Sequence, residues 1–273
     1  MNANKWSTST HGDTSQYCQM ITVNQIASDI CTIEACKSTS EFYNEMCRDD
    51  FDLIGVSNLS ETIGYVEKKD LEDLEISTNI ASFVKPFQYC ELVASNTPLV
   101  DILDILCERQ RLFVLNKANV VSIVTQADLQ KIPFRLFVFA QISEMEILLT
   151  THIRSNYVYD RLPISQARLS KARELYDFKK TQNMALDLFE CLQLCDKFAI
   201  IGDDRDLVRS FGFSSKSKYQ AAWHRIEILR NTIAHSSNFS ETYNSRVFRE
   251  MTADISKISE TLFMLNISQK KFR

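Results

Sequence analysis

The sequence predicts an α+β chain, with a tandem β-α-β-β-α repeat followed by an all-helical bundle. Three observations predict it. Between residues 17 and 132 one order of strand and helix signals occurs twice. From residue 133 onward the apolar spacing is helical, with no convincing strand. Gly (5) and Pro (4) are scarce in 273 residues, so tight turns are few and an all-β fold is disfavoured.

The second copy is the clearer one, over residues 76–132. "ELVAS" reads as a strand. "LVDILDILCER", residues 99–109, has helical apolar spacing, with Thr97 as N-cap and Pro98 at N1. "LFVL" and "VVSIV" are β-rich runs joined by "NKAN", which makes a hairpin. Thr125 then caps a short helix through "QADLQK". The first copy, over 17–75, repeats this. "STSEFYNEMCRD" is a helix capped by Ser38 or Ser40, "FDLIGVS" and "ETIGYVE" are strands joined by "NLS", and "KKDLEDL" is the short helix. "IGYVEKKDLE" lies over "VSIVTQADLQ", so Glu67 matches Thr125 and Asp70 matches Asp128. Each unit leaves a sheet face bare and needs its twin to bury it.

Residues 133–273 read as the bundle. A buried helix runs over 132–153, interrupted by Glu144 and Glu146. "SQARLSKARELYDFKK" is an exposed helix. "MALDLFECLQLCDKFAII" is an amphipathic one ending near Gly202, and it places Cys191 and Cys195 on one face. Ser217 and Gln220 form a capping box that opens the next helix. Ser240 opens the last, with Phe248, Met251, Ile255, Ile258, Leu262 and Leu265 facing inward. Residues 1–16, polar throughout, are expected to be a disordered lead-in and not a signal peptide.

Composition bounds the function. Residues 45% hydrophobic and 24% charged are globular values, and no apolar run reaches the ~20 residues of a membrane span. Eight cysteines without an export signal predict a cytoplasmic chain with reduced thiols, and no spacing suggests a metal site. The charge is divided. Residues 1–132 hold 10 Lys+Arg and 19 Asp+Glu, whereas 133–273 hold 21 and 16. A polyanionic partner therefore belongs with the helical half, although differing solvated faces explain the split equally well.

The repeat, with its last strand running into "SIVTQADL", resembles the CBS domain (the cystathionine β-synthase type), which works as tandem pairs. The resemblance covers about residues 17–132. It implies clefts for adenosine-containing ligands such as ATP, ADP, AMP or S-adenosylmethionine. Asp128 and Thr125 are then ribose and phosphate contacts in a second site, and Asp70 is the ribose contact in a first. Glu67 replaces the phosphate-contacting hydroxyl there and is expected to repel an anion, leaving room for a neutral or cationic adenosyl compound. The bland alternative is that Asp70 and Asp128 are early helical residues favoured by the helix dipole.

In the helix from Ser217, Tyr219, Ala222, Trp223, Ile226, Leu229 and Ile233 form a stripe, and helical geometry sets Arg230 near its middle. A guanidinium there needs a carboxylate, an anion or an interface. Asn231 and His235, four apart, share the adjoining face. "RNTIAH" resembles the R-x4-6-H motif of the HEPN superfamily, helical domains many of which are metal-independent ribonucleases; the resemblance covers about 136–267. It implies a homodimer through the helical domain that cuts RNA between two such helices. His235 would assist deprotonation of the 2′-hydroxyl, Arg230 would stabilise charge on phosphorus, Asn231 would orient the pair, and Glu144, with Glu146 in reserve, would partner Arg230. No cofactor is required for such catalysis, and neither DNA nor a membrane is expected as partner. A toxin or phage-defence role, regulated by the ligand of the repeat pair, would suit such an enzyme. The alternative is a non-catalytic adenine-nucleotide sensor whose helical domain dimerises or docks a partner. His152 and His224 are expected to be structural or surface residues.

Overall fold

The computed structural model describes residues 21–72, 74, 78–234 and 245–270. It is α+β, as expected. The described residues fall into two compact units divided between Phe134 and Arg135, with residues 245–246 belonging to the first.

The first unit holds seven strands: β1 (Ser28–Asp29), β2 (Thr32–Glu34), β3 (Leu53–Asn58), β4 (Glu61–Glu67), β5 (Leu92–Ala94), β6 (Arg111–Asn116) and β7 (Asn119–Thr125). Helix α1 (Thr39–Asp49) follows β2 and α2 (Leu99–Glu108) follows β5. The sheets are ordered β2-β3-β4 and β1-β7-β6-β5. In each copy the first strand runs parallel to the second, and the hairpin is antiparallel.

The repeat holds to the level of register. Leu53 faces Glu67 where Arg111 faces Thr125, and the ladder slips between Val56 and Ser57 as it does between Val114 and Leu115. Both hairpins turn through left-handed residues, Leu59 and Ser60 in the first and Lys117 in the second. Ser38 caps α1 in a capping box with Glu41, which decides between the two candidate caps. Pro98 occupies the cap position of α2 itself, one residue later than expected. The two closing helices are single 3-10 turns, Lys68–Asp70 and Gln126–Gln130. Too few residues follow the cap there to close successive i to i−4 bonds.

Each sheet also meets chain from outside its copy, β1 as a strand in one case and an isolated bridge at Lys85 in the other. Ser28 pairs with Ile123, and Lys85 bridges Tyr65. The helix-covered face of the first sheet packs Phe42, Met46, Ile54, Val56, Val66, Leu71 and Ile80. Between the sheets lie Tyr65, Phe113 and Val120, with Phe87 and Ile123 against them. Tyr65 and Phe113 meet tilted, 4.9 Å between centroids, and Phe87 meets Phe113 edge-on at 4.6 Å. The hairpins are pinned where the Thr62 amide donates to Asn119 Oδ1 at 2.9 Å and its hydroxyl to the Val120 carbonyl at 2.8 Å.

The second unit is helical: α3 (Ile132–Asn156), α4 (Gln166–Thr181), α5 (Leu194–Ile201), α6 (Arg205–Ser210), α7 (Lys216–Ala234) and α8 (Ser245–Lys270). Helix α4 is largely exposed, burying Leu169 and Ala172. The long helix expected over "MALDLFECLQLCDKFAII" is instead a 3-10 turn, Phe189–Cys191, followed by α5. Leu192 and Gln193 are extended, and the Gln193 amide donates to Asp196, which restarts the helix there. Cys191 and Cys195 therefore do not share a helix face. Asp204 caps the short α6, which the sequence pattern did not reveal. Ser215, and not Ser217, caps α7 through the Lys218 amide at 3.2 Å. The expected start at Ser240 and the lead-in at 1–16 lie outside the described residues. Within α8, Phe248, Met251, Ile255, Ile258 and Leu262 are buried and Leu265 is half-buried. No described helix is long and apolar enough to cross a membrane.

Gly64 is where the outside segment presses closest. A Cβ there would lie 2.5 Å from the Lys85 carbonyl oxygen and 2.6 Å from Val84 Cγ1. Gly64→Ala is expected to cost about 1–3 kcal/mol by forcing these segments apart, read as a lowered denaturant midpoint. An unchanged midpoint would show that the contact yields without cost.

Candidate functional site

The two copies place the same positions together and give them different chemistry. In the second copy Thr125 ends β7 and caps the 3-10 turn. Asp128 reaches back to it, so that Thr125 N–H and Oγ donate to Asp128 Oδ2 at 2.7 and 3.0 Å. Its Oδ1 meets Lys131 Nζ at 2.8 Å and the Ser28 hydroxyl at 3.2 Å. Lys131 also donates to the Ile26 carbonyl at 2.6 Å and to Ser28 at 2.8 Å. A carboxylate offers about four acceptor positions, and here four donors fill them. Asp128 is 7% exposed. A ribose could take these oxygens only by displacing Ser28 or Lys131. Asp128 is the acidic residue of the first turn, as the bland alternative has it, and is engaged there as a cap.

In the first copy the matching positions carry charge. Glu67 ends β4 and its side chain is 10% exposed. Lys69 and Lys85 each reach its Oε2 at 2.8 Å, and Arg111 pairs with its Oε1. Lys85 also pairs with Asp70 at 2.6 Å. The Arg111 guanidinium lies over the Tyr65 ring, 5.2 Å from its centroid. Burial alone pushes the Glu67 carboxyl up, but hydrogen bonds from Lys69, Lys85 and Arg111 outweigh it and hold it down at about 2. Glu67, expected to repel an anion, stands among cations that the sequence reading did not place there. Its charge is more than matched by the three cations gathered round it.

Lys85, Arg111, Lys131 and Ser28 were not singled out from the sequence. Lys131 had a local signal, three residues beyond Asp128. Arg111 had none, because it comes from the other copy, 44 positions from Glu67.

In the helical unit Tyr219, Ala222, Ile226 and Leu229 are buried and Trp223 and Ile233 half-buried. Arg230, expected within that stripe, is exposed. The buried quartet centres roughly 60° around the helix from it, taking 100° per residue, so Arg230 leaves at the edge of the stripe. Its Nη1 donates to Asn231 Oδ1 at 3.2 Å. His235 lies outside the described residues. Glu144 is half-buried on α3. Glu146, the reserve partner for Arg230, is taken by the buried Lys197 at 2.8 Å. Of the other histidines, His152 is buried, which pushes its imidazole down, and His224 is exposed.

No family model and no curated protein matches the chain. Solved structures do resemble it. The CBS domain of the bacterial CNNM/CorC family Mg2+ transporter, in complex with ATP, is 19% identical over 42% of this chain and 89% of its own, with a TM-score of 0.36. CBSX2 in complex with AMP is 16% identical over 42% and 97%, with a TM-score of 0.37. A CBS domain pair/ACT domain protein from Thermotoga maritima is 18% identical over 39% and 91%, with a TM-score of 0.34.

The lowered Glu67 value sets a pH dependence. A carboxyl held below its unfolded value contributes stability that is complete above about pH 5 and is lost as pH falls toward 2. Between pH 5 and 2.5 the wild type is expected to lose on the order of 2 kcal/mol more stability than Glu67→Gln, measured by urea unfolding. Parallel losses would show that the cluster does not stabilise the fold.

Proposed function

We propose that the chain is a ligand-gated ribonuclease. Its repeat pair reads an adenosine-containing ligand, and its helical unit, as a homodimer, cuts RNA without a metal. The observation that carries the nuclease half is the exposed Arg230 with Asn231 hydrogen-bonded beside it at the end of α7. A buried guanidinium locked into a core would have no route to a phosphate. An exposed one, its fork steadied by an amide, can meet a phosphate as charge builds on phosphorus. His235, four positions after Asn231 in the sequence, supplies the titrating group. The products are a 2′,3′-cyclic phosphate and a 5′-hydroxyl.

The ligand class follows from the likeness of "SIVTQADL" to the CBS signature, with Thr125 and Asp128 as its contacts and Asp70 in the other cleft. Asp128 adds a mechanical consequence. A ribose that displaces Ser28 or Lys131 also loosens the hold of Lys131 on Ile26. Binding is thereby coupled to the strand that crosses from the other copy, which supplies the differential contact a switch requires.

A non-catalytic sensor is the second reading. Leu136, Phe139 and Ile147 on α3 are 57%, 43% and 51% exposed, an apolar row that suits a docked partner.

Wild-type protein incubated with total RNA in EDTA is expected to cleave it, and Arg230→Ala and His235→Ala to lose about a hundredfold or more of the rate on denaturing gels. If the wild type leaves RNA intact, the second reading stands in its place. Calorimetry with ATP, AMP and S-adenosylmethionine is expected to show binding weakened about tenfold or more by Asp128→Ala. Equal binding by the variant would remove Asp128 from the site.

A further inference from the structure

We propose that Lys69, Lys85 and Arg111 form an anion cradle in the first copy, that the chain closes it with its own Glu67, and that a phosphorylated small molecule opens it by displacing that carboxylate. The proposal concerns the phosphate group alone. It does not depend on the ribonuclease reading or on Asp128.

Three features carry it. The first is charge. Lys69, Lys85 and Arg111 face Glu67 and Asp70, three cations against two carboxylates, which leaves one positive charge over. The second is an unmet donor. Arg111 Nε is buried and has no hydrogen-bond partner, while Nη2 of the same fork is bonded to Glu67. A guanidinium edge is built to grip two oxygens of one anion. Glu67 cannot supply the second, because its Oε2 is already committed to both lysines. A phosphate has three terminal oxygens. One can take the lysine pair while two take the Nε and Nη2 edge, so the external anion satisfies a donor that the internal one leaves orphaned.

The third feature is access. The Lys69 and Lys85 side chains are 71% and 38% exposed, so solvent and solutes reach the cluster from that side. Arg111 is braced from beneath by the Tyr65 ring, which keeps its fork in place when Glu67 leaves. Position 67 corresponds to Thr125 in the second copy, where a hydroxyl replaces the carboxylate. The two clefts therefore differ in how they admit a phosphate, the first by exchange of one anion for another.

The probe is inorganic pyrophosphate, titrated calorimetrically into the full chain. Glu67→Gln removes the internal competitor and keeps its shape. It is expected to bind about tenfold or more tightly than the wild type, a gain that shrinks as salt is raised. Adding Arg111→Gln should abolish the gain, whereas adding Asp128→Ala should leave it, which places it in the first copy. The idea is overturned if Glu67→Gln binds no more tightly, or if the gain survives without Arg111. Should Glu67→Gln fail to fold, Glu67→Thr takes its place. In the wild type, pyrophosphate should slow acylation of Lys69 and Lys85 as mapped by mass spectrometry, and equal labelling with and without it would sink the proposal.

Discussion

A small sheet with a helix on one face leaves its other face bare, and the first unit of this chain depends on how that face is covered. Neither copy of the repeat has a second helix long enough to do it, since both closing segments are single 3-10 turns. The copies cover each other instead, with Tyr65, Phe113 and Val120 between them. Burial of three such side chains contributes several kcal/mol at about 25 cal/mol per Å2 of apolar surface, and neither copy can gain it alone. The polar pins Thr62 and Asn119 then set the register of one hairpin against the other. Crossing segments at Ser28 and Lys85 complete the arrangement. The same pairing that makes the core thus brings residues of one copy against the polar cluster of the other.

The two matching clusters show how duplicated geometry acquires different electrostatics. Asp70 and Asp128 occupy matching places, and each meets a side chain from the crossing segment, Lys85 in one case and Ser28 in the other. In the second cluster a neutral hydroxyl and Lys131 engage the Asp. In the first, Glu67 draws in three cations that its mate Thr125 has no charge to attract. Glu67 and Arg111 are the least exposed members, so their pair is screened less than a surface pair, while the exposed Lys69 adds little.

In the helical unit the polar groups that matter sit at two depths. Lys197 and Glu146 form an ion pair with the lysine almost wholly buried, a structural use of charge that fixes α5 against α3. Arg225 pairs with Asp254 between α7 and α8. Arg230 lies outside this framework, exposed beside Asn231. That position separates a guanidinium available to a ligand from those spent on packing.

Much of this was legible in the sequence. Local chemistry decided the order of elements in the repeat, the two hairpins and the inward face of α8, because spacing and turn residues act over a few positions and need no distant partner, while the choice of Ser38 over Ser40 as cap came from the structure. The alignment of Glu67 with Thr125 and of Asp70 with Asp128 followed from the repeat itself. The failures have different causes. The break at Leu192 and Gln193 is a local cap by Asp196 that the helical periodicity hid, whereas the exposure of Arg230 and the cations around Glu67 depend on which flank of a helix finds a neighbour or on groups far along the chain. Periodicity gives a helix its apolar side but not the centre of that side, which is why Arg230 fell within the stripe by count and outside it by packing. A charge pattern likewise gives Glu67 its sign, while only the folding of Arg111 and Lys85 onto it decides that the site gathers cations.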